Sequence, residues 1–360
     1  MSPPAAGAVG RRRVVVLACF ALCLVLLSPF FWAVYRVMVF NTVPRDDYAP
    51  FVLWLLGQKG GVLPESPYVY RILSVAAAVP FDLVLPLLRF SRLPASVPAD
   101  YVRATAALAA LAYTAAVGAG FVAARLARRL GLAPGEALFA GALLFVLCWS
   151  AQIYGIDPLA ILGVAVLVSV LRNRRRFVPG VLASILVNEK ICMVLVLWLA
   201  IRWVLCAEDR AALGVPLLAS LAALTAYLAM VLLVHVPGHS YQVRPAGYLG
   251  TIAANLAVQA SARGVVLNLV PTLLLAGVAV TGWPAGSMGP FRRVDILVIP
   301  ALVLLALTVT HKFQIGRLVM HAAPLFVVPA AAAGRRWHAR AARFIAGERA
   351  TAATRPDRPA

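Results

Sequence analysis

The sequence predicts an all-α polytopic membrane protein of about ten transmembrane helices, with interfacial helices in a long first outer loop. Three observations predict it. Of 360 residues 62% are hydrophobic and only 13% charged, with a mean hydropathy of +0.90, a composition suited to lipid rather than water. The apolar residues gather into runs of the length that crosses ~30 Å of hydrocarbon. Arginines gather at the ends of those runs, as the positive-inside bias arranges them. The net charge of +20 is thereby a matter of topology. Nucleic acid is not an expected partner, because the arginines neither line one amphipathic face nor alternate with stacking aromatics.

The first run, residues 14–40, follows Arg11, Arg12 and Arg13. It continues through Phe30, Phe31 and Trp32, too long for the apolar region of a signal peptide, and reads as an anchor helix. Residues 72–88 are a poor span, since they carry Asp82 and are broken by Pro80 and Pro86; they read as an interfacial helix. Further spans are expected over 104–124, 136–153, 156–171, 177–189, 191–206, 211–236, 265–282, 294–310 and 317–334. Within 177–206, Asn188-Glu189-Lys190 separates two short helices that meet at the outer face. Residues 1–334 thus form one transmembrane domain with a first outer loop at 41–103, and 335–360 form a basic cytoplasmic tail, disordered and drawn to anionic lipid.

With a cytoplasmic N-terminus, Arg125, Arg128, Arg129, Arg172, Arg174, Arg175, Arg176, Arg202, Arg210, Arg292 and Arg293 all fall inside, together with the arginines of the tail. A full span at 72–88 would turn almost all of them outward. In a bacterium this topology describes a multi-pass protein of the cell inner membrane, both termini cytoplasmic and the working face periplasmic. The five cysteines lie in apolar runs without a paired spacing and read as small buried hydrophobes. The Gly118-Ala119-Gly120 step lies within a span and reads as a packing site.

The chemistry is expected at the outer face, where the acids, histidines and all three lysines, Lys59, Lys190 and Lys312, collect. Asp46-Asp47 is an acidic pair just beyond the first span, and carboxylates so placed in an apolar chain mark function by default. A competing reading gives one of them the N-cap of a short helix ending near Leu56, before Gly57. Tyr68, Tyr70 and Arg71 offer two amphipathic rings and a cation for a lipid phosphate or sugar, or else an aromatic belt with a snorkelling arginine. Asp157, ahead of Pro158, suits either an N-cap or the outer site. Glu189 and Lys190 read either as a self-neutralising pair or as site residues. His311, Lys312, Arg317 and His321 place two fixed cations and two imidazoles where a late helix re-enters the membrane, a setting that attracts anions. His235 and His239 are separated by Pro237 and Gly238, so they do not share a helical face as zinc ligands would.

The acidic pair in a long first outer loop, the interfacial segment after it, Pro67-Tyr68-Val69-Tyr70-Arg71, and the late Gly316-Arg317 followed by Pro324 together resemble the GT-C superfamily of membrane glycosyltransferases, over about residues 10–335. The resemblance implies transfer of a sugar from a polyprenyl-phosphate donor to an envelope glycan, lipid or protein acceptor at the outer face. By that analogy Asp46 or Asp47 is the general base, and Lys312 and Arg317, with Arg71, hold the departing phosphate. The sequence departs from several relatives in having no extracellular soluble domain and no obvious divalent-metal cluster; some relatives need no metal, and neither a metal nor a cofactor is expected here. From the residues alone, a phosphate-binding domain for soluble nucleotide sugars is not expected, as neither GxxxxGK[ST] nor a strand-borne GxGxxG is present. A transporter or lipid flippase is the alternative from another class, and a non-catalytic envelope-assembly protein is a third.

Overall fold

A computed structural model describes residues 48–63, 71–84, 99–151, 156–233, 248–283, 288–309 and 315–334, which are predominantly helical. Residues 14–40, the acidic pair, the two tyrosines, His235, His239, His311, Lys312 and the tail lie outside the described residues.

Three short helices precede the bundle: α1 (Ala49–Leu55), α2 (Ile72–Ala76) and α3 (Val79–Val84). The expected helix ending near Leu56 is α1, and it stops where Gly57 adopts φ +63°, a left-handed conformation that glycine adopts freely. Its N-cap is Tyr48, with no side-chain cap bond, so the cap position expected for Asp46 or Asp47 falls on the residue after them. Of the expected 72–88 segment, the described part forms α2 and α3, each too short to span. Its Asp82 is buried against Arg103 at 3.0 Å.

The bundle follows as α4 (Ala99–Arg129), α5 (Pro134–Ala151), α6 (Asp157–Val170), α7 (Arg174–Ser184), α8 (Lys190–Leu205), α9 (Arg210–Leu233), α10 (Tyr248–Gln259), α11 (Ala262–Gly282), α12 (Val298–Val309), α13 (Ile315–Met320) and α14 (Val327–Gly334). Among the described residues, α4, α11 and the segment Ala207–Leu233 containing α9 are long and apolar enough to cross a membrane. The pair Ile315–Leu325 and Val327–Gly334 adds a fourth if counted as one broken span. α9 and α11 bury only 22% of their apolar windows, and leucines such as Leu218, Leu232 and Leu233 stand 67–82% exposed. Such continuous apolar surface suits lipid, not water.

α4 is the spine. It begins with Asp100 and ends with Arg128 and Arg129, charges that complement the helix dipole at both ends. Its many buried alanines let α5 and α6 approach closely. At the crossing with α5, a Cβ on Gly120 would stand 2.7 Å from the Gly141 carbonyl oxygen, so this step is a packing site as the sequence indicates. A smaller apolar cluster of Tyr48, Phe51, Val52, Val75, Ala78 and Ile156 with the start of α4 fixes the first-loop helices beside α6.

Three expectations are corrected. The stretch left between the spans expected at 211–236 and 265–282 contains α10, a twelve-residue helix. The single span expected at 317–334 is bent by 58°, with Pro324 in the turn between its halves. The span expected at 265–282 begins earlier, at Ala262, and contains a π-helical turn at Val265–Leu269. The break expected within 177–206 is present: α7 ends at Ser184 and α8 begins at Lys190.

Candidate functional site

Helix ends assemble the site. Arg71 precedes α2, Asp157 opens α6, Glu189 and Lys190 open α8, and Arg317 and His321 lie on and just after α13. All six side chains are buried, Asp157 and His321 completely. Charged groups held this deeply are costly unless paired, and here each finds partners on a segment remote in sequence.

Asp157 is the hub. The sequence offered it as an N-cap, but the N-cap of α6 is Ile156, and the carboxylate of Asp157 instead meets Lys190 Nζ at 3.1 Å and the Arg317 Nε. His321 Nε2 stands 3.5 Å from the same carboxylate. His321 Nδ1 lies 2.7 Å from the Arg317 carbonyl oxygen, which can only accept, so Nδ1 carries the proton and donates it. One side of the ring is thereby fixed, and the other is presented to Asp157. Where α6 approaches α8, a Cβ on Gly163 would stand 2.5 Å from the Ile191 Cδ1 and would push that side chain aside.

Glu189 does not neutralise Lys190, as a self-contained pair would. It turns to Arg71, whose Nε donates at 2.9 Å and whose second nitrogen completes a two-pronged contact. The Tyr48 hydroxyl also accepts from Arg71. Burial pushes the Glu189 carboxyl up, but the Arg71 guanidinium, through its charge and its hydrogen bonds, outweighs this and holds the carboxyl below its ordinary value. The backbone sets the register: Leu73 N–H donates to Leu186 O at 3.0 Å, and the Ser74 hydroxyl donates to Val187 O. Asn188 Oδ1 accepts from Lys190 N–H at 3.1 Å, closing the turn that aims residues 189 and 190 in different directions.

Six of the ten binding residues expected from the sequence, Arg71, Asp157, Glu189, Lys190, Arg317 and His321, are therefore brought together. Tyr68, Tyr70, His311 and Lys312, like Asp46 and Asp47, lie outside the described residues. Tyr48 is an addition that sequence reasoning missed; its signal was its position directly after the acidic pair. Among the described residues no group of three His, Cys, Asp or Glu side chains is arranged to hold a metal ion.

A second buried ionic cluster lies near the far end of α8. Arg202 contacts Asp209, the Pro290 carbonyl and, at 3.7 Å, Asp295. Arg292 contacts Asp209 at 3.0 Å and its backbone N–H donates to Asp295 at 2.8 Å. Arg202 also sits 5.5 Å from the centre of the Trp198 ring. Lys190 and Arg202 are twelve residues apart on one helix, about 18 Å at the rise of an α-helix.

The chain matches no family model, no curated protein and no solved structure.

Proposed function

We propose that the protein is an integral membrane glycosyltransferase of the GT-C type, of about ten spans, which moves a sugar from a polyprenyl-phosphate carrier to an envelope acceptor at the periplasmic face of the inner membrane. The observation that carries this reading is the convergence of Arg71, Asp157, Glu189, Lys190, Arg317 and His321 at and beside helix ends. Charge gathered at helix ends belongs near a membrane surface, where a carrier phosphate resides; a transporter would instead favour charge near the bilayer centre. Tyr48 ties this cluster to the chain segment that carries the acidic pair.

In the proposed reaction Asp46 or Asp47 takes the proton of an acceptor hydroxyl as its oxygen attacks the anomeric carbon. The bond between that carbon and the phosphate oxygen breaks, and the carrier leaves as polyprenyl phosphate. Charge grows on the departing oxygen, and fixed cations aimed at it stabilise the transition state more than the ground state. Arg317 and Arg71, with Lys312, supply those cations. Asp157 and Glu189 hold the two arginines in single orientations, so little rearrangement accompanies the step.

Purified protein in liposomes, supplied with radiolabelled polyprenyl-phosphate hexose and no ion gradient, tests the proposal. Consumption of the donor with release of polyprenyl phosphate is expected, and its loss in Asp46→Asn or Asp47→Asn identifies the base. Donor that crosses the bilayer intact, or stays unconsumed with a broad acceptor mixture, overturns it.

A further inference from the structure

A chain of amide side chains, buried at Asn255 and Asn268 and half-buried at Gln259, runs from α10 through the π-helical turn of α11 to the first residues of α13. Asn255 Nδ2 donates to Leu307 O at 2.8 Å, and Gln259 Nε2 donates to Asn255 O at 2.7 Å. Asn268 Nδ2 donates to Gln259 Oε1 at 2.7 Å, and Asn268 Oδ1 accepts from Gly316 N–H at 3.2 Å. The orientation of each amide is forced. A backbone N–H can only donate, so the Asn268 oxygen faces Gly316, its nitrogen faces Gln259, and the Gln259 nitrogen is left for a carbonyl. Asn255 and Asn268 are each 2% exposed.

Gly316 sits against the π-helical turn more closely than any other residue type permits. A Cβ there would stand 2.4 Å from Leu267 O and 2.9 Å from Asn268 Cα. The π-helical turn, Val265–Leu269, widens the helix at this level and includes both residues. The next residue in the chain is Arg317, which binds Asp157, and one turn later comes His321, anchored to the Arg317 carbonyl. An apolar contact would hold α13 to α11 but leave its rotation and rise soft. Directional bonds to a single N–H fix both, and burying amides is tolerated only where every partner is in place.

We infer that Asn268, seated on the π-helical turn and facing Gly316, is a positioning residue that sets the orientation of Arg317 toward Asp157. The inference deepens the proposed function and rests on it for the identity of the anion that Arg317 serves. Asn268 keeps an oxygen toward Gly316 in Asn268→Asp and loses it in Asn268→Leu, which separates the directional bond from the volume of the side chain. Gly316→Ala presses on the same contact from the other side.

The full-length protein in lipid nanodiscs is measured in two ways: amide hydrogen exchange over residues 315–321, and steady-state turnover of polyprenyl-phosphate hexose. In Asn268→Leu exchange is expected to speed up about tenfold, the donor KM to rise with kcat changing less, and Asn268→Asp to restore most of both. A fold defect alone would reduce the amount of active protein and lower kcat at constant KM. Unchanged exchange in Asn268→Leu, or faster exchange with the donor KM unaltered, overturns the inference. If the wild-type protein consumes no donor while Asn268→Leu still speeds exchange and Asn268→Asp restores it, the glycosyl-transfer reading fails and the positioning of residues 316–317 stands.

Discussion

The two buried ionic clusters at either end of α8 are built from similar charges and differ in kind. The one near Arg202 joins two segments, residues 202–209 and 288–297, through arginine, aspartate and backbone carbonyls. Among the described residues it matches two arginines with two aspartates. The one around Asp157 draws on five segments, at 48, 71, 157, 189–190 and 317–321, separated by 23 to 160 residues along the chain where they bond. It adds a lysine, a histidine and a tyrosine to its arginines. A clasp needs only balance and rigidity, whereas a reacting site needs groups of different proton affinity held at one point. Under the proposed function, the Arg202 cluster serves stability and the Asp157 cluster serves chemistry.

The largest effect is expected from Asp157→Asn, which strips Lys190 and Arg317 of their shared carboxylate. Breaking a buried pair from one side costs about 3–5 kcal/mol, and with Arg317 released donor turnover should fall about 10²-fold or more. Thermal unfolding in detergent and turnover in liposomes read the two consequences separately. Asp295→Asn breaks the comparison from the other end. It should cost ~1–3 kcal/mol by weakening a buried charge-assisted contact, with turnover per folded molecule unchanged; a selective loss of turnover would place chemistry at the Arg202 cluster too.

Smaller effects sharpen the frame around both clusters. Gly120→Ala puts a methyl group 2.7 Å from the Gly141 carbonyl oxygen, and overpacking of this kind costs roughly 1–3 kcal/mol, visible as a lower unfolding temperature. The smallest effect is on pH dependence. The Glu189 carboxyl is held below its ordinary value in the fold, so its contribution is present above the ordinary glutamate range of ~4.3 and is lost as pH falls through the lower folded value. An acid titration of stability should flatten in this region in Glu189→Gln.

Much of this frame is legible in the sequence, because the physics involved is local. Apolar runs read as helices, Asn188-Glu189-Lys190 reads as a break, and the glycine step in α4 reads as a packing site. Arg71, Asp157, Glu189, Lys190, Arg317 and His321 stand out because charge in an apolar chain is costly. Their pairing is not legible: Glu189 follows its partner Arg71 by 118 residues, and nothing local distinguishes that choice from its neighbour Lys190. The bend between α13 and α14 was hidden by an apolar composition that continues through it, with Pro324 as the available signal. α10 was missed because twelve residues carrying Asn255 and Gln259 are too short and too polar to register as a span. Asn268 is inconspicuous inside Val265-Val266-Leu267-Asn268-Leu269, although one amide in an apolar run asks which partner satisfies it.

The measurement that bears most directly on the assignment of chemistry to one cluster is the binding of polyprenyl phosphate to purified protein in nanodiscs. Wild type is to be compared with Arg317→Gln at the Asp157 cluster and Arg292→Gln at the Arg202 cluster. Saturable binding that weakens at least about tenfold in Arg317→Gln, the loss of one charge-assisted contact, and is kept in Arg292→Gln, is the result expected. Equal binding in wild type and Arg317→Gln, or a loss confined to Arg292→Gln, would contradict it.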